Sequence, residues 1–190
     1  MTENTQSPVA MLTQADAVFR EVLAGVTPDQ MALPTPSDEW DVRALVNHVV
    51  LGNTWSAENI RSGDAPRPSD DLIGDRDPME AYTASADAML AAFAEPGALG
   101  RTVKMPFGEM PGAGLAMFRF SDLLTHAWDL AKATGQSTDL APELCEVALS
   151  MSRQYLDGRD RTHMPFKDAV EVPESACAAD RLAGYLGKRV

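Results

Sequence analysis

Phe120-Ser-Asp-Leu-Leu-Thr-His-Ala-Trp-Asp-Leu-Ala131 has the apolar spacing of a helix buried along one side. Phe120, Leu123, Leu124, Ala127 and Ala131 recur every three or four residues and form its core stripe. Asp122 and His126 are four residues apart, so they project from one face. At ~100° per residue that face lies roughly a third of a turn from the stripe centre. The helix therefore carries a second, partly apolar face bearing two groups able to ligate a metal.

A second stretch, Trp40-Asp-Val-Arg-Ala-Leu-Val-Asn-His-Val-Val50, repeats the pattern. Val42, Leu45, Val46 and Val49 make the stripe, and His48 stands off its centre beside Leu51 and Trp55. Asp41 is suited to cap this helix, which is expected to run to about Arg61 with Gly63 beyond its end. If the two helices are neighbours, His48, Asp122 and His126 make a two-histidine, one-carboxylate site with positions open for water or a ligand. The same spacing is met by a hydrogen-bonded core histidine. It is met equally by an Asp–His contact that merely supports its own helix.

The remaining sequence is also mostly helical in period. Leu12, Ala15, Phe19, Val22 and Val26 define a first helix, and Pro28, Pro34 and Pro36 break the chain after it. Asp77-Pro78 opens a helix with the stripe Tyr82, Ala86, Met89 and Phe93, stopped by Pro96-Gly97. Residues 101–116 hold too much Gly and Pro for a helix and read as a short hairpin or active-site loop. The Asp122 helix is expected from about Met117 to Thr134, with Gly135 as its stop. Pro142 opens another that ends near Gly158, and Ser175 is placed to cap a short last helix closing at Gly187. Phe166 to Pro173 reads as extended. The expected fold is all-α: an antiparallel four-helix bundle with a hairpin or loop insertion and a small C-terminal helix. It forms one domain over residues 1–190, with a stretch from about 160 packed on the bundle.

Composition narrows the function. The chain has 190 residues, 45% of them hydrophobic, and a formal net charge of −12. That charge argues against nucleic acid and anionic membranes, which need clustered Lys and Arg. No apolar run reaches the ~20 residues of a spanning helix. Met1-Thr-Glu-Asn-Thr-Gln-Ser lacks a secretory pattern, so the expected location is the cytoplasm. Cys145 and Cys177 are too few for a disulfide framework, and nothing nearby marks either as an activated nucleophile.

Three segments carry a family resemblance. Thr35-Pro-Ser-Asp-Glu-Trp-Asp-Val-Arg-Ala-Leu-Val-Asn-His48 resembles the first motif of the DinB-like helical-bundle superfamily. Within it, the match is to the actinobacterial group related to the N-terminal domain of mycothiol-dependent maleylpyruvate isomerase. Asp122-Leu-Leu-Thr-His126-Ala-Trp-Asp-Leu-Ala resembles that group's second motif, and Arg181-Leu-Ala-Gly-Tyr-Leu-Gly-Lys-Arg its terminal helix. The resemblance implies a divalent metal on His48, Asp122 and His126, and it suggests a homodimer. The isomerase has a further C-terminal domain that contributes to its active site. This chain is expected to lack one, so the specific isomerase activity is not carried over.

The ligand set suits Zn²⁺, Ni²⁺, Mn²⁺ or Fe²⁺, with Zn²⁺ favoured. The resemblance points to a low-molecular-weight thiol such as mycothiol, bound as thiolate and attacking a small-molecule electrophile. The expected activity is thiol S-transfer or thiol-dependent isomerisation. The alternatives are a non-catalytic metal or small-molecule binding module, a metal-dependent hydrolase, and a bundle in which Asp122 and His126 only pair. Asp129 is an alternative ligand or a group that orients one, and Trp55 and Trp128 are candidate pocket walls. Arg153, Arg159, Arg161 and His163 form a basic cluster. Arg153 and Arg159 are candidates to hold a cofactor or substrate carboxylate, although cations at a helix C-terminus also simply offset its dipole. The segment Met105 to Met117 is a candidate lid.

Overall fold

In the computed structural model, which describes residues 6–37, 40–162 and 166–190, the chain is mostly helical. Among these residues there are six α-helices: α1 (Pro8–Ala24), α2 (Val42–Ser62), α3 (Pro78–Ala94), α4 (Gly112–Thr134), α5 (Pro142–Leu156) and α6 (Ala178–Tyr185). Strands β1 (Thr102–Met105) and β2 (Gly108–Pro111) pair antiparallel just before α4, with Thr102 opposite Pro111 and Met105 opposite Gly108.

Local chemistry sets most of these ends. Asp41 accepts a hydrogen bond from the Ala44 amide, and Gly63 closes α2 in the left-handed region at φ 83°, where a Cβ would be strained. Asp77 takes the amides of Met79 and Glu80, with Pro78 in the first turn of α3. Two ends differ from the sequence expectation. Cys177, rather than Ser175, caps α6, its Sγ accepting from the Asp180 amide. Helix α4 starts at Gly112, not near Met117. Its first-turn glycine is required by packing, since a Cβ on Gly112 would lie 2.2 Å from the Ala98 carbonyl oxygen and 2.5 Å from Ile60 Cδ1. A residue that reads as a breaker is here what lets the helix begin.

The apolar stripes meet in one core. Helix α1 packs on α3 and α4, and α2 packs on the same two. Leu12, Phe19, Leu45, Val49, Tyr82, Met89, Phe120 and Leu123 are fully buried there, and Phe19 stacks on Tyr82 at 4.6 Å. Val26 falls beyond the end of α1 and only borders the core. The hairpin is tied under α2 by the Lys104 amide donating to the Gly63 carbonyl at 2.8 Å. Helix α6 lies against α4 and α5, held to α4 by Trp128 Nε1–H donating to Asp180 at 2.7 Å. The extended segment before it is stitched back where the Val170 amide donates to the Gly184 carbonyl. No helix among the described residues is long and apolar enough to cross a membrane.

Gly112→Ala should lower stability by about 1–3 kcal/mol, because the added methyl meets backbone that cannot yield. Gly100→Ala, with nothing within 4 Å of its Cβ, should stay within about 0.5 kcal/mol of wild type in urea denaturation.

Candidate metal centre

His48 comes from the second turn of α2, and Asp122 and His126 come one turn apart on α4. One ligand atom from each lies within 4.8 Å of the others, close enough to hold a single ion. His126 Nε2 stands 3.6 Å from Asp122 Oδ1, and the two imidazoles meet edge to face with centroids 5.0 Å apart. Trp40, just before α2, packs its ring against both histidines, at 4.2 Å from His48 and 5.9 Å from His126.

Around this trio is a shell of buried polar groups. His126 Nδ1 lies 3.0 Å from Asp129 Oδ2, which also accepts from Lys188 Nζ at 2.8 Å and from the Ser37 hydroxyl at 3.1 Å. A proton on Nδ1 shared with Asp129 leaves the Nε2 lone pair directed at the trio, the orientation a metal-binding histidine needs. Asp129 is fully buried, and its other oxygen has no hydrogen-bond partner among the described residues. Arg119 does for Asp122 what Asp129 does for His126. It is 2% exposed, donates to Asp122 Oδ2 at 2.6 Å, and its second Nη donates to Asn53 at 2.8 Å. Its guanidinium lies over Gly52, where a Cβ would come within 2.4 Å of Nη1.

The charges respond to this packing. Burial alone would raise Asp122, but Arg119 and then the two histidines hold it well below the usual carboxylate range. Burial also pulls down on His126, yet Asp122 and Asp129 together lift it to about 9. His48 goes the other way: burial lowers it to about 4, with only partial relief from Asp122. At neutral pH His48 is therefore a neutral lone-pair donor. His126 carries the proton that a cation would replace. Cys145 is pushed up to about 12 by burial, and both cysteines are free thiols, so neither is a nucleophile poised at neutral pH.

The trio opens into a cavity of about 760 Å³. Its walls come from Trp40, Leu51 and Trp55, from Pro106 and Phe107 at the hairpin turn, from Phe118, and from Phe166, Leu186 and Lys188 of the C-terminal segment. The hairpin thus borders the site, as a lid would. Trp55 is a wall, whereas Trp128 faces α6. Arg153 and Arg159 sit elsewhere, each stacked on a tyrosine, Arg153 on Tyr185 at 5.8 Å and Arg159 on Tyr155 at 4.6 Å. Neither is among the described residues lining this cavity. Arg161 is stacked on Tyr185 and bonded to backbone carbonyls, and His163 lies outside the described residues.

Sequence reasoning missed Trp40, Arg119 and Lys188 as parts of the site. Two signals for Arg119 were present. It sits between apolar core positions one turn before Asp122, and Gly52 interrupts a long helix, a mark of close approach.

Comparison with known proteins puts this fold in a defined class. The structure matches crystal structures of mycothiol-dependent maleylpyruvate isomerase and of a histidine-to-alanine variant of that enzyme, each with a TM-score of 0.61. Identity is 14% and 13%, and the match covers 75% of this chain and 66% of the isomerase chain. The family model of the mycothiol maleylpyruvate isomerase N-terminal domain matches residues 12–131, a span that contains His48, Asp122 and His126. The chain belongs to this family. Two proteins of Mycobacterium tuberculosis are 39% identical to it over 188 residues, covering 96% of this chain and 98% of theirs. They are uncharacterized protein MT0763 of strain CDC 1551 / Oshkosh and uncharacterized protein Rv0738 of strain H37Rv.

Two outcomes are expected. Asp129→Asn should fold but bind Zn²⁺ about 10- to 100-fold more weakly in a competition titration with a chelator, because the orienting carboxylate is lost. The metal-free protein should show two pH limbs in thermal melts. With its folded pKa raised to about 9, His126 contributes stability that is complete below pH 6.5 and lost as pH rises towards 9. With its pKa lowered to about 4, His48 contributes above pH 6.5 and loses that contribution as pH falls towards 4. Saturating Zn²⁺ should flatten the alkaline limb.

Proposed function

We propose that this protein binds a divalent metal, Zn²⁺ as first choice, through His48, Asp122 and His126. It would use that centre to join a low-molecular-weight thiol of the mycothiol type, through its sulfur, to a small electrophile, or to isomerise that electrophile by reversible thiol addition. The observation that carries this reading is the convergence of three ligand atoms within 4.8 Å on the wall of a cavity large enough for a small molecule. We further infer that α1–α4 form the antiparallel four-helix bundle of the DinB-like fold. The stretch from about residue 160 would pack on it, within one domain.

The donor set fits such an ion. Two imidazoles and one carboxylate leave coordination positions for a ligand, and the buried Asp129 is placed to orient His126. When bound, the ion would lower the pKa of a coordinated thiol and polarise a carbonyl near it. The chain's own residues do the rest. Asp129, itself held by Lys188 and Ser37, fixes the tautomer of His126. Arg119 keeps Asp122 ionised and aimed at the histidines. Trp40 braces His48, and Trp55, Phe107 and Phe118 give the cavity apolar walls against which a bound thiol would lie. The isomerase and the mycothiol it depends on make thiol chemistry the first to test here.

Metal content by mass spectrometry, on protein purified without an affinity tag, should be near one divalent ion per chain and be lost in His48→Ala and Asp122→Ala. The metal-loaded protein should then consume mycothiol in the presence of activated alkenes or epoxides, and the two variants should not. Protein that refuses Zn²⁺, Ni²⁺ and Mn²⁺ alike would overturn the metal reading. Metal binding without thiol turnover across a broad panel would leave a non-catalytic binding module.

A further inference from the structure

Arg67 stands on the rim of the cavity in a setting that nothing in the metal centre explains. It lies between Pro66 and Pro68, whose rings restrict the backbone on either side. The residue before that pair, Ala65, is gripped twice by α2: its carbonyl accepts from Trp55 Nε1 at 2.9 Å, and its amide donates to Asn59 Oδ1 at 3.0 Å. The guanidinium itself lies over the Trp55 ring, 4.7 Å from the centroid. An exposed arginine is thus held in one place by two prolines, two hydrogen bonds and an aromatic face.

What it lacks is an anion. Arg20, Arg43, Arg61, Arg101 and Arg119 each have a carboxylate within ion-pair distance. Arg67 has none among the described residues, and neither have Arg76, Arg153, Arg159, Arg161 and Arg189, but of these six arginines Arg67 alone lines the cavity. Among the described residues the one acid lining the same cavity is Asp122, and Arg119 and the histidines already engage it. Asp122 and Arg119 are near enough to act electrostatically on Arg67, whose pKa is lowered chiefly by burial. A planar fork of N–H donors, stacked on an indole and lining the cavity, matches the two oxygens of a carboxylate with parallel hydrogen bonds, as it would those of a phosphate.

We propose that Arg67 is the carboxylate anchor of this cavity, so that the small molecules it accepts are carboxylate-bearing anions. The proposal rests on the cavity being the ligand site of the function argued above, but not on the metal. Thiol chemistry would then take place on an electrophile whose acid group is held at the rim while its reactive carbon faces the trio.

Succinate and its neutral diamide, succinamide, are unreactive probes of equal shape. Their binding to the full chain can be followed by ligand-observed NMR, on both metal-free and Zn²⁺-loaded protein. The metal-free wild type should prefer succinate by about tenfold or more, the value of one charge-assisted pair. Arg67→Gln should abolish that preference in metal-free protein and reduce it by a similar factor in the Zn²⁺-loaded form, where the ion itself attracts anions. Arg67→Lys should retain part of it, and bound metal should be unchanged in all. An equal affinity for the two probes in the metal-free wild type, or no binding of either, would overturn the proposal. So would a preference that survives in metal-free Arg67→Gln, which would put the carboxylate elsewhere. Discrimination that persists in protein unable to bind metal would uphold Arg67 while the metal-dependent function fell.

Discussion

The ion pair between Arg119 and Asp122, 2.6 Å apart on the side of α4 that meets α2, is the contact on which the rest of the centre depends. A carboxylate held among apolar helices is costly unless an opposite charge and hydrogen bonds compensate it. Arg119 supplies the charge, but its own burial must then be compensated, and α2 does so with Asn53. That exchange needs the guanidinium to lie directly on the α2 backbone, which only Gly52 allows. The pair therefore sets the distance between the two helices that carry the three candidate ligands. Asn53 extends the chain to Ser85 on α3, so three helices are registered by one polar thread through an apolar core.

A second thread runs in the opposite direction. Asp129 lies one turn beyond His126 and is held by Ser37, ahead of α2, and by Lys188, from the C-terminal segment. Two segments far apart in sequence converge on a single oxygen atom. The geometry of His126 is thus decided by residues from three parts of the chain, and α6 contributes through its own anchor to Trp128.

Much of this was legible in the sequence, for local reasons. The caps Asp41 and Asp77-Pro78 and the stop Gly63 act within one helical turn, so each can be read from its neighbours. The Asp122–His126 spacing is equally local, and the resemblance of the motifs around His48 and His126 agrees with the family to which the chain belongs. What could not be read depends on partners distant in sequence. Lys188 looks like an ordinary surface cation until its contact with Asp129 is known, and the signals for Arg119 name no partner until α2 is placed against it. Gly112 reads as a breaker because the Ala98 carbonyl it accommodates belongs to a turn before the hairpin. Arg153 and Arg159, clustered in sequence, stack on tyrosine rings and are not among the described residues lining the cavity.

Around the trio, two carboxylates face two permanent cations, Asp122 with Arg119 and Asp129 with Lys188. Their charges cancel inside a strongly acidic molecule, His48 is kept uncharged by its burial, and the protonated His126 leaves one positive charge on the metal-free centre. A divalent ion that displaces the His126 proton still adds positive charge, with no counterion already waiting for it. The surplus can be neutralised only by what enters afterwards, a thiolate or another anion. Occupancy of the centre by such an ion would thus act as an electrostatic valve on the cavity. Against the surrounding negative field, anions would enter more weakly while the ion is absent than once it is bound, which would favour an order of addition with metal first and ligand second.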